Sequence, residues 1–225
     1  MTVKIAINGP IIDSSEKWIY DYFEEEATCA KDISDALPKN GEDVEVTINS
    51  FGGYVDQGAE IYTLLSNYPG NVAINVVTAY SAASVAAMAG NPTRISPIGQ
   101  MMIHNASGVG QGDYRDMVKA SERLKITNEA LSNAYTIKTG KTKDEILAMM
   151  DEETWLTPEK AKELGFVDEI MFAERSTERL VANNGGMLPP SIIEKMRAEK
   201  QEEKLNKLNN EPKPEEVSPF ARFIF

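Results

Sequence analysis

The stretch "NVAINVVTAYSAASVAAMAG", residues 71–90, decides the fold class of this chain. An apolar run typical of a buried strand passes directly into a tract of very small residues, which is typical of a closely packed helix. The same order occurs earlier in the chain, where "DVEVTIN" alternates like a strand, "SFGG" turns, and "DQGAEIYTLLSNY" has helical periodicity. Repeated strand, turn and helix units predict an α/β protein with a mainly parallel sheet covered by helices.

Flanking segments extend this pattern towards both ends of the chain. Residues 3–8, "VKIAIN", alternate like a strand that stops at Gly9 and Pro10. Ser14 or Ser15 is then placed to cap a helix. Further along the chain, "TRISPIG" and "QMMIHN" predict two more short strands.

The second half of the chain contains clear helix signals. A helix of roughly seven turns is predicted from Asp113 to Gly140, preceded by a glycine-rich strand, "GVGQG". Two shorter helices follow, and their predicted boundary residues are Thr142 with Glu145 as a capping box, Thr157 as a cap before Pro158, and Gly165 as a stop. A long helix that leaves a small domain predicts a homo-oligomer, because its apolar face needs a partner.

Composition excludes several classes of function. A net charge of -12 argues against nucleic acid or an anionic membrane as a partner. The single cysteine, Cys29, excludes an internal disulfide, and the single histidine excludes a multi-histidine metal site. We therefore expect no metal and no cofactor. The first residues lack the apolar segment of a signal peptide and no run reaches the length of a membrane span, so a cytoplasmic protein is expected.

Two serines, Ser81 and Ser84, lie in the small-residue tract. Close packing alone could explain both of them, with each hydroxyl bonded to its own helix. The functional interpretation is that Ser84 lies where a strand passes into a helix and where backbone N–H groups are unpaired. His104, at the end of the apolar strand "QMMIH", is the one imidazole that could take its proton. Gly53, in the turn after the preceding parallel strand, could offer a further N–H at the same edge of the sheet.

Four blocks of the chain resemble the ClpP family of serine peptidases. They are "INSFGGYVDQGAEIYTLL", "AYSAASVAAMAG", "MMIHNASG" and "ETWLTPEKAKELGFVDEI", and the resemblance covers roughly residues 3–172. It implies a ClpP/crotonase-type α/β fold with a projecting handle helix. It also implies that Ser84 is the nucleophile, His104 the general base, and Gly53 and Val85 the backbone donors of the oxyanion hole. No chemical role falls to Ser81.

The chain also departs from the family pattern, including at the two places described next and in "HNAS", which lacks the family's proline after the histidine. Where the ClpP family has an aspartate two residues before an aromatic residue, this chain has Glu153, and Asp151 is the competing candidate for the third member of the triad. Both carboxylates could instead belong to a solvated acidic turn, "MDEET". Phe51 replaces the usual proline before the two glycines.

The resemblance implies an ATP-independent serine endopeptidase. The segments "MIHN" and "ETWLT" are most similar to the bacteriophage and prophage branch of the family. This similarity implies capsid maturation, with capsid or scaffold proteins as substrates. One alternative is a host-type proteolytic subunit fed by an unfoldase, and another is an inactive protein that acts as an assembly scaffold. The resemblance further implies rings, possibly stacked heptamers.

The composition changes after about Phe172 and predicts two parts of the chain. Residues 1–174 are expected to form the peptidase domain and residues 175–225 a charged tail that is partly helical. The tail ends in the apolar "SPFARFIF", which we expect either to anchor a partner protein or to be plain disorder.

Overall fold

The computed structural model describes residues 2–172 of the chain, together with Met196 and Lys200. The chain divides into two units, Met1–Ser176 and Thr177–Phe225, and the helices and strands named below belong to the first. The predicted boundary between residues 174 and 175 and the charged tail, apart from Met196 and Lys200, lie outside the described residues, so both stay predictions.

Within the described residues, a six-stranded sheet organises the first unit. Its strands are β1 (Val3–Asn8), β2 (Val44–Ser50), β3 (Val72–Tyr80), β4 (Thr93–Ile103), β5 (Thr154–Leu156) and β6 (Glu169–Ile170). Strands β1 to β4 are parallel neighbours in chain order, β5 pairs with β4 in the antiparallel direction, and β6 pairs with β4 in parallel. The predicted mainly parallel α/β sheet is confirmed.

One strand replaces the two short strands predicted at "TRISPIG" and "QMMIHN". Thr93–Ile103 is continuous, although it contains Pro97 and Gly99. Its pairing with β3 shifts register between Val76 and Thr78, opposite the part of β4 that carries the proline and the glycine. A register shift tolerates residues that would interrupt a regular ladder, so the strand continues through them.

The described helices cover this sheet, and several begin where the sequence predicts. They are α1 (Lys17–Tyr22), α2 (Ala30–Ala36), α3 (Val55–Ser66), α4 (Ala82–Ala87), α5 (Tyr114–Thr139), α6 (Lys143–Asp151) and α7 (Pro158–Glu163). The capping box of Thr142 and the cap at Thr157 are confirmed, and the predicted start of the long helix at Asp113 is its N-cap residue. Capping of α1 by Ser14 or Ser15 is wrong, because Glu16 occupies the N-cap position.

Helix α5 has 26 residues, and its buried positions, Ser132, Ala134 and Tyr135, all lie in its last third. Its earlier apolar side chains, such as Val118 and Ile126, are exposed. The predicted glycine-rich strand before it is wrong, because residues 108–112 form no strand. Among the described residues, no helix is both long and apolar enough to span a bilayer.

Asp168 connects three parts of the first unit. Its Oδ2 accepts hydrogen bonds from the Thr93 N–H at 2.6 Å and from the Lys138 ammonium at 2.7 Å. Lys138 also donates to the Gly90 carbonyl at 2.9 Å, and its side chain is only 11% exposed. Burial raises the pKa of Asp168, but the hydrogen bonds from Lys138 and Thr93 outweigh it and hold that pKa below its ordinary value. The ionised carboxylate therefore stabilises the fold above the unfolded-state pKa, and this contribution is lost as the pH falls through the folded-state pKa.

We expect Asp168→Asn to lower the free energy of unfolding at neutral pH by about 1–3 kcal/mol, because Lys138 loses its charged partner in a poorly solvated place. The difference from the wild type should shrink as the pH falls below the ordinary aspartate value of 3.8, because the carboxyl takes up a proton there in the unfolded wild type and only at lower pH in the folded protein. Urea unfolding of the variant and the wild type, at neutral pH and at a pH below 3.8, measures the difference in unfolding free energy. Glu169→Gln, which breaks the 2.8 Å surface pair with Arg94, is the control and should cost less than about 1 kcal/mol. Equal losses in the two variants would contradict the role given to Asp168.

Candidate active site

Ser81 forms the turn between β3 and α4. The strand ends at Tyr80 and the helix begins at Ala82, so this single residue reverses the backbone. Its dihedral angles are φ 53° and ψ −126°, a region that L-residues with a side chain rarely adopt. Such a conformation costs on the order of 1–3 kcal/mol and is retained only where the surroundings hold it. Here the Ser81 N–H donates to the Met102 carbonyl of β4 at 2.9 Å.

His104 directly follows β4 and its imidazole contacts Ser81. Because β3 and β4 are parallel and Tyr80 pairs with Met102, the residues that follow these strands meet at one edge of the sheet. The distance from His104 Nε2 to Ser81 Oγ is 2.8 Å, which is hydrogen-bonding distance. The Ser81 hydroxyl makes no capping bond to α4, although the residue occupies the N-cap position.

Ser84 lies elsewhere, which corrects the prediction that it pairs with His104. Its side chain is fully buried, and its Oγ donates to the Ser81 carbonyl at 2.7 Å and lies 2.7 Å from the Tyr135 hydroxyl. Ser84 is the third residue of α4 and its hydroxyl is bonded in the core, whereas the Ser81 hydroxyl lies beside His104 at the edge of the sheet. Sequence reasoning gave Ser81 no role. The preference of serine for N-cap positions, applied to the first residue after the strand, was the signal that could have found it.

Glu153 is the carboxylate closest to the histidine. Its Oε2 lies 3.9 Å from His104 Nδ1, within ion-pair range but longer than a hydrogen bond. Glu153 has φ 50°, and its Oε1 accepts a 3.1 Å bond from Trp155 Nε1. Asp151 faces away and accepts a 2.7 Å bond from the Asn105 amide. Of the two candidates left open by the sequence, the geometry favours Glu153.

The backbone donors predicted for an oxyanion hole differ in their availability. Gly53 forms a parallel bridge with Ile11. The Ile11 N–H donates to the Gly52 carbonyl and the Ile11 carbonyl accepts from the Tyr54 N–H, so neither bond uses the N–H of Gly53. In a parallel bridge of this kind, that N–H points away from Ile11. The Val85 N–H, in contrast, donates to the Ser81 carbonyl at 3.3 Å and is not free.

The residue that replaces Val85 as a candidate donor is Ala82, the first residue after Ser81. Its N–H, like that of Gly53, has no acceptor among the described residues. Gly52 packs on this turn: a Cβ added to it would lie 2.8 Å from Ser81 Cβ and 3.0 Å from the Ala82 nitrogen. Gly52 also has φ +91°, so close approach and backbone conformation both require glycine there.

Comparison with known proteins gives the family. The family model described as "Clp protease" matches residues 30–174 of the chain. The chain belongs to the Clp protease family. A protein of Bacteroides fragilis (strain ATCC 25285) named "ATP-dependent Clp protease proteolytic subunit" is 32% identical over 134 residues, which is 58% of this chain and 65% of that protein.

A second relative is more distant but is covered more fully. The "ATP-dependent Clp protease proteolytic subunit 1" of Leifsonia xyli subsp. xyli is 29% identical over 150 residues, 65% of this chain and 74% of that protein. The chain thus spans less than two thirds of the length of the Bacteroides relative and about three quarters of the Leifsonia relative.

Aromatic residues flank the site, and one of them, Phe51, stands where this Clp protease family member departs from the expected pattern. Phe51, in place of the expected proline, is 75% exposed and stacks on Tyr80 with ring centroids 5.4 Å apart. Trp155 meets Tyr80 edge-on at 4.9 Å. Stacking on Tyr80 restricts the orientation of the exposed Phe51 ring but does not lock the backbone φ angle as a proline would.

The part of the chain that the structure describes contains no set of side chains suited to binding a metal ion. There, no three histidine, cysteine, aspartate or glutamate side chains are grouped so that they could hold an ion. What the arrangement of Ser81, His104 and Glu153 can do is remove a proton from a serine hydroxyl and stabilise the imidazolium that results.

Proposed function

We propose that this chain is a serine endopeptidase that cleaves peptide bonds through an acyl-enzyme on Ser81. The observation that carries the proposal is the 2.8 Å contact between Ser81 Oγ and His104 Nε2. The positive φ of Ser81, at the turn where a parallel strand meets a helix, supports it further, because strained residues of this kind cluster at active sites. Membership of the Clp protease family agrees with this reaction.

The proposed reaction uses groups that are already in place. Ser81 Oγ bonds to the substrate carbonyl carbon while its proton passes to His104 Nε2. The charge that develops on the carbonyl oxygen is stabilised by the N–H groups of Gly53 and Ala82. The C–N bond then breaks, and the leaving amine takes the proton from His104. Water attacks the ester by the same route, which releases the acid and restores Ser81.

Glu153 supports this cycle from the other side of the imidazole. Its carboxylate, 3.9 Å from Nδ1, favours the tautomer with the proton on Nδ1 and so leaves Nε2 free to accept. It also stabilises the imidazolium formed during the reaction. A small movement is needed to bring the two atoms into hydrogen-bonding distance, and such contacts commonly tighten when substrate binds.

A fluorophosphonate probe tests the proposal directly. We expect the wild-type chain to be labelled, with the adduct mapped by mass spectrometry to Ser81. The labelling rate should be lower at acidic pH, because a general base must be unprotonated to accept the serine proton. The absence of labelling would favour an inactive assembly scaffold, and an adduct on Ser84 would return the nucleophile to that residue.

For the biological context, we propose that the peptidase acts without ATP on phage capsid or scaffold proteins. The phage-like sequence segments "MIHN" and "ETWLT" support this. The host-type alternative, a peptidase fed by an unfoldase, is favoured equally by relatives named as ATP-dependent proteolytic subunits. A portal gene upstream and a major capsid gene downstream would support the phage context. An adjacent unfoldase gene would contradict it.

We also propose that the chain assembles with copies of itself into a ring, and that two rings stack. The support is that most of α5 is exposed and carries apolar side chains such as Val118 and Ile126. These side chains would be buried if α5 packed on a second copy. A monomeric mass in sedimentation equilibrium would contradict the assembly.

A further inference from the structure

We infer that Ser84 and Tyr135 are positioning residues, which hold the Ser81 carbonyl through a buried chain of two hydrogen bonds. This inference rests on the proposed role of Ser81 as the nucleophile. It gives Ser84 a role different from the one predicted from the sequence. It also gives a role to Tyr135, which lies on α5, 51 positions after Ser84.

The direction of the two hydrogen bonds follows from their chemistry. Ser84 Oγ lies 2.7 Å from the Ser81 carbonyl oxygen, which can only accept, so the single hydroxyl proton of Ser84 is used there. Tyr135 must then be the donor across the 2.7 Å contact with Ser84 Oγ. The chain runs from the phenol to the serine hydroxyl and on to the Ser81 carbonyl, and each bond polarises the next.

Burial closes this chain to solvent. Ser84 is 0% exposed and Tyr135 is 1% exposed, with the tyrosine ring against Phe166 at a centroid distance of 5.8 Å. Burial raises the pKa of Tyr135, more than the hydrogen bond with Ser84 lowers it, so the phenol keeps the proton that it donates. Solvent water therefore does not reach the Ser84 and Tyr135 hydroxyls to replace their hydrogen bonds.

These two hydrogen bonds hold the carbonyl of Ser81, the residue with the strained backbone conformation. This carbonyl also accepts from the backbone N–H groups of Ser84 at 2.9 Å and of Val85 at 3.3 Å, which most residue types could supply. The hydroxyl bond is shorter, and it depends on a serine at position 84. Because these bonds hold the Ser81 carbonyl against α4, they restrain the ψ angle of Ser81, which sets where its Cα–Cβ bond points relative to the helix and so supports the contact of Ser81 Oγ with His104 Nε2.

The test must separate positioning from simple stability. Ser84→Ala removes the bond to Ser81 and leaves the Tyr135 hydroxyl buried without its partner, so both the labelling rate and the urea midpoint should fall. Combining it with Tyr135→Phe removes the stranded hydroxyl as well. Replacing both partners of a hydrogen bond by apolar groups is nearly neutral for stability. In the double variant we therefore expect the urea midpoint to recover while labelling stays slow.

We measure the rate of fluorophosphonate labelling of Ser81 across pH in the full-length protein. For Ser84→Ala and for the double variant we expect a plateau about tenfold below the wild type, about 1.4 kcal/mol in the barrier. The pH at half-maximal rate should not change, because His104 is intact. A labelling rate that recovers together with the urea midpoint, or a displaced pH profile, would overturn the inference.

Ser132→Ala is the matched control. Ser132 is also fully buried, lies in a helix, and donates at 2.8 Å to the carbonyl three residues before it, that of Glu129. We expect its labelling rate to stay within about twofold of the wild type. If Ser84→Ala behaves like this control while the wild type is labelled on Ser81, the positioning role fails and the proposed function stands. If the wild type is not labelled on Ser81, the proposed function itself fails.

Discussion

Replacing Ser81 with alanine is expected to reduce peptide hydrolysis by about 10³- to 10⁶-fold, because it removes the group that attacks the substrate. The variant should stay folded. The Ser81 hydroxyl contacts His104 at 2.8 Å and makes no capping bond to the helix, so its loss leaves the turn in place. Hydrolysis of a fluorogenic peptide measures the first effect, and far-ultraviolet circular dichroism with a urea midpoint measures the second.

Ser84→Ala is the comparison that decides between the two serines. It should retain about a tenth of the wild-type activity, because the nucleophile and base are still present and only the support of the Ser81 carbonyl is lost. Losses of equal size in the two variants would contradict the assignment of Ser81. A larger loss in Ser84→Ala, with the fold intact, would restore the nucleophile predicted from the sequence.

Replacing Glu153 with glutamine should lower kcat/KM by about 10²- to 10⁴-fold. The amide keeps the shape of the side chain but carries no charge, so it cannot stabilise the imidazolium of His104 during the reaction. Glu153 is more than half exposed, and its carboxylate approaches His104 at 3.9 Å, so the unfolding free energy should change by less than about 1 kcal/mol. Steady-state kinetics and urea unfolding check the two parts separately.

Asp151→Asn is the control for Glu153→Gln, two residues away on the same turn. Asp151 bonds the Asn105 amide at 2.7 Å and has no contact with the imidazole, so its loss should lower kcat/KM by less than about threefold. The reverse ranking would transfer the role to Asp151. Mild effects in both variants would mean that neither carboxylate orients His104.

Local patterns were enough to predict the sheet and most of the helix boundaries. The alternation of apolar residues in β2 predicts its buried face. The confirmed caps at Thr142 and Thr157, and the predicted helix start at Asp113, depend on interactions within a few residues. His104 could be singled out because it is the one imidazole in the chain and lies at the end of a parallel strand. These features are encoded over short distances, where periodicity and capping chemistry act.

The tertiary structure decided which serine meets the histidine. Ser81 and Ser84 are three residues apart in a tract of small residues, so composition cannot separate them. The choice depends on where β3 ends and on the left-handed turn at Ser81, which is held by Met102 from the neighbouring strand. The hydroxyl of Ser84 is instead hydrogen-bonded in the core to the hydroxyl of Tyr135, which lies 51 residues further along the chain.

Long-range packing also determines which carboxylate lies near His104 and which backbone N–H groups are left without an acceptor. A positive φ at Glu153 directs its side chain towards His104, whereas Asp151 turns to Asn105. Val85 lost its predicted role once α4 was found to begin at Ala82, because its N–H is then used within the helix. The sequence by itself determined most of the elements and the sheet edge at which the residues after β3 and β4 meet. Which atoms meet there depends on single-residue turns held by distant strands and helices, and a local pattern does not contain that information.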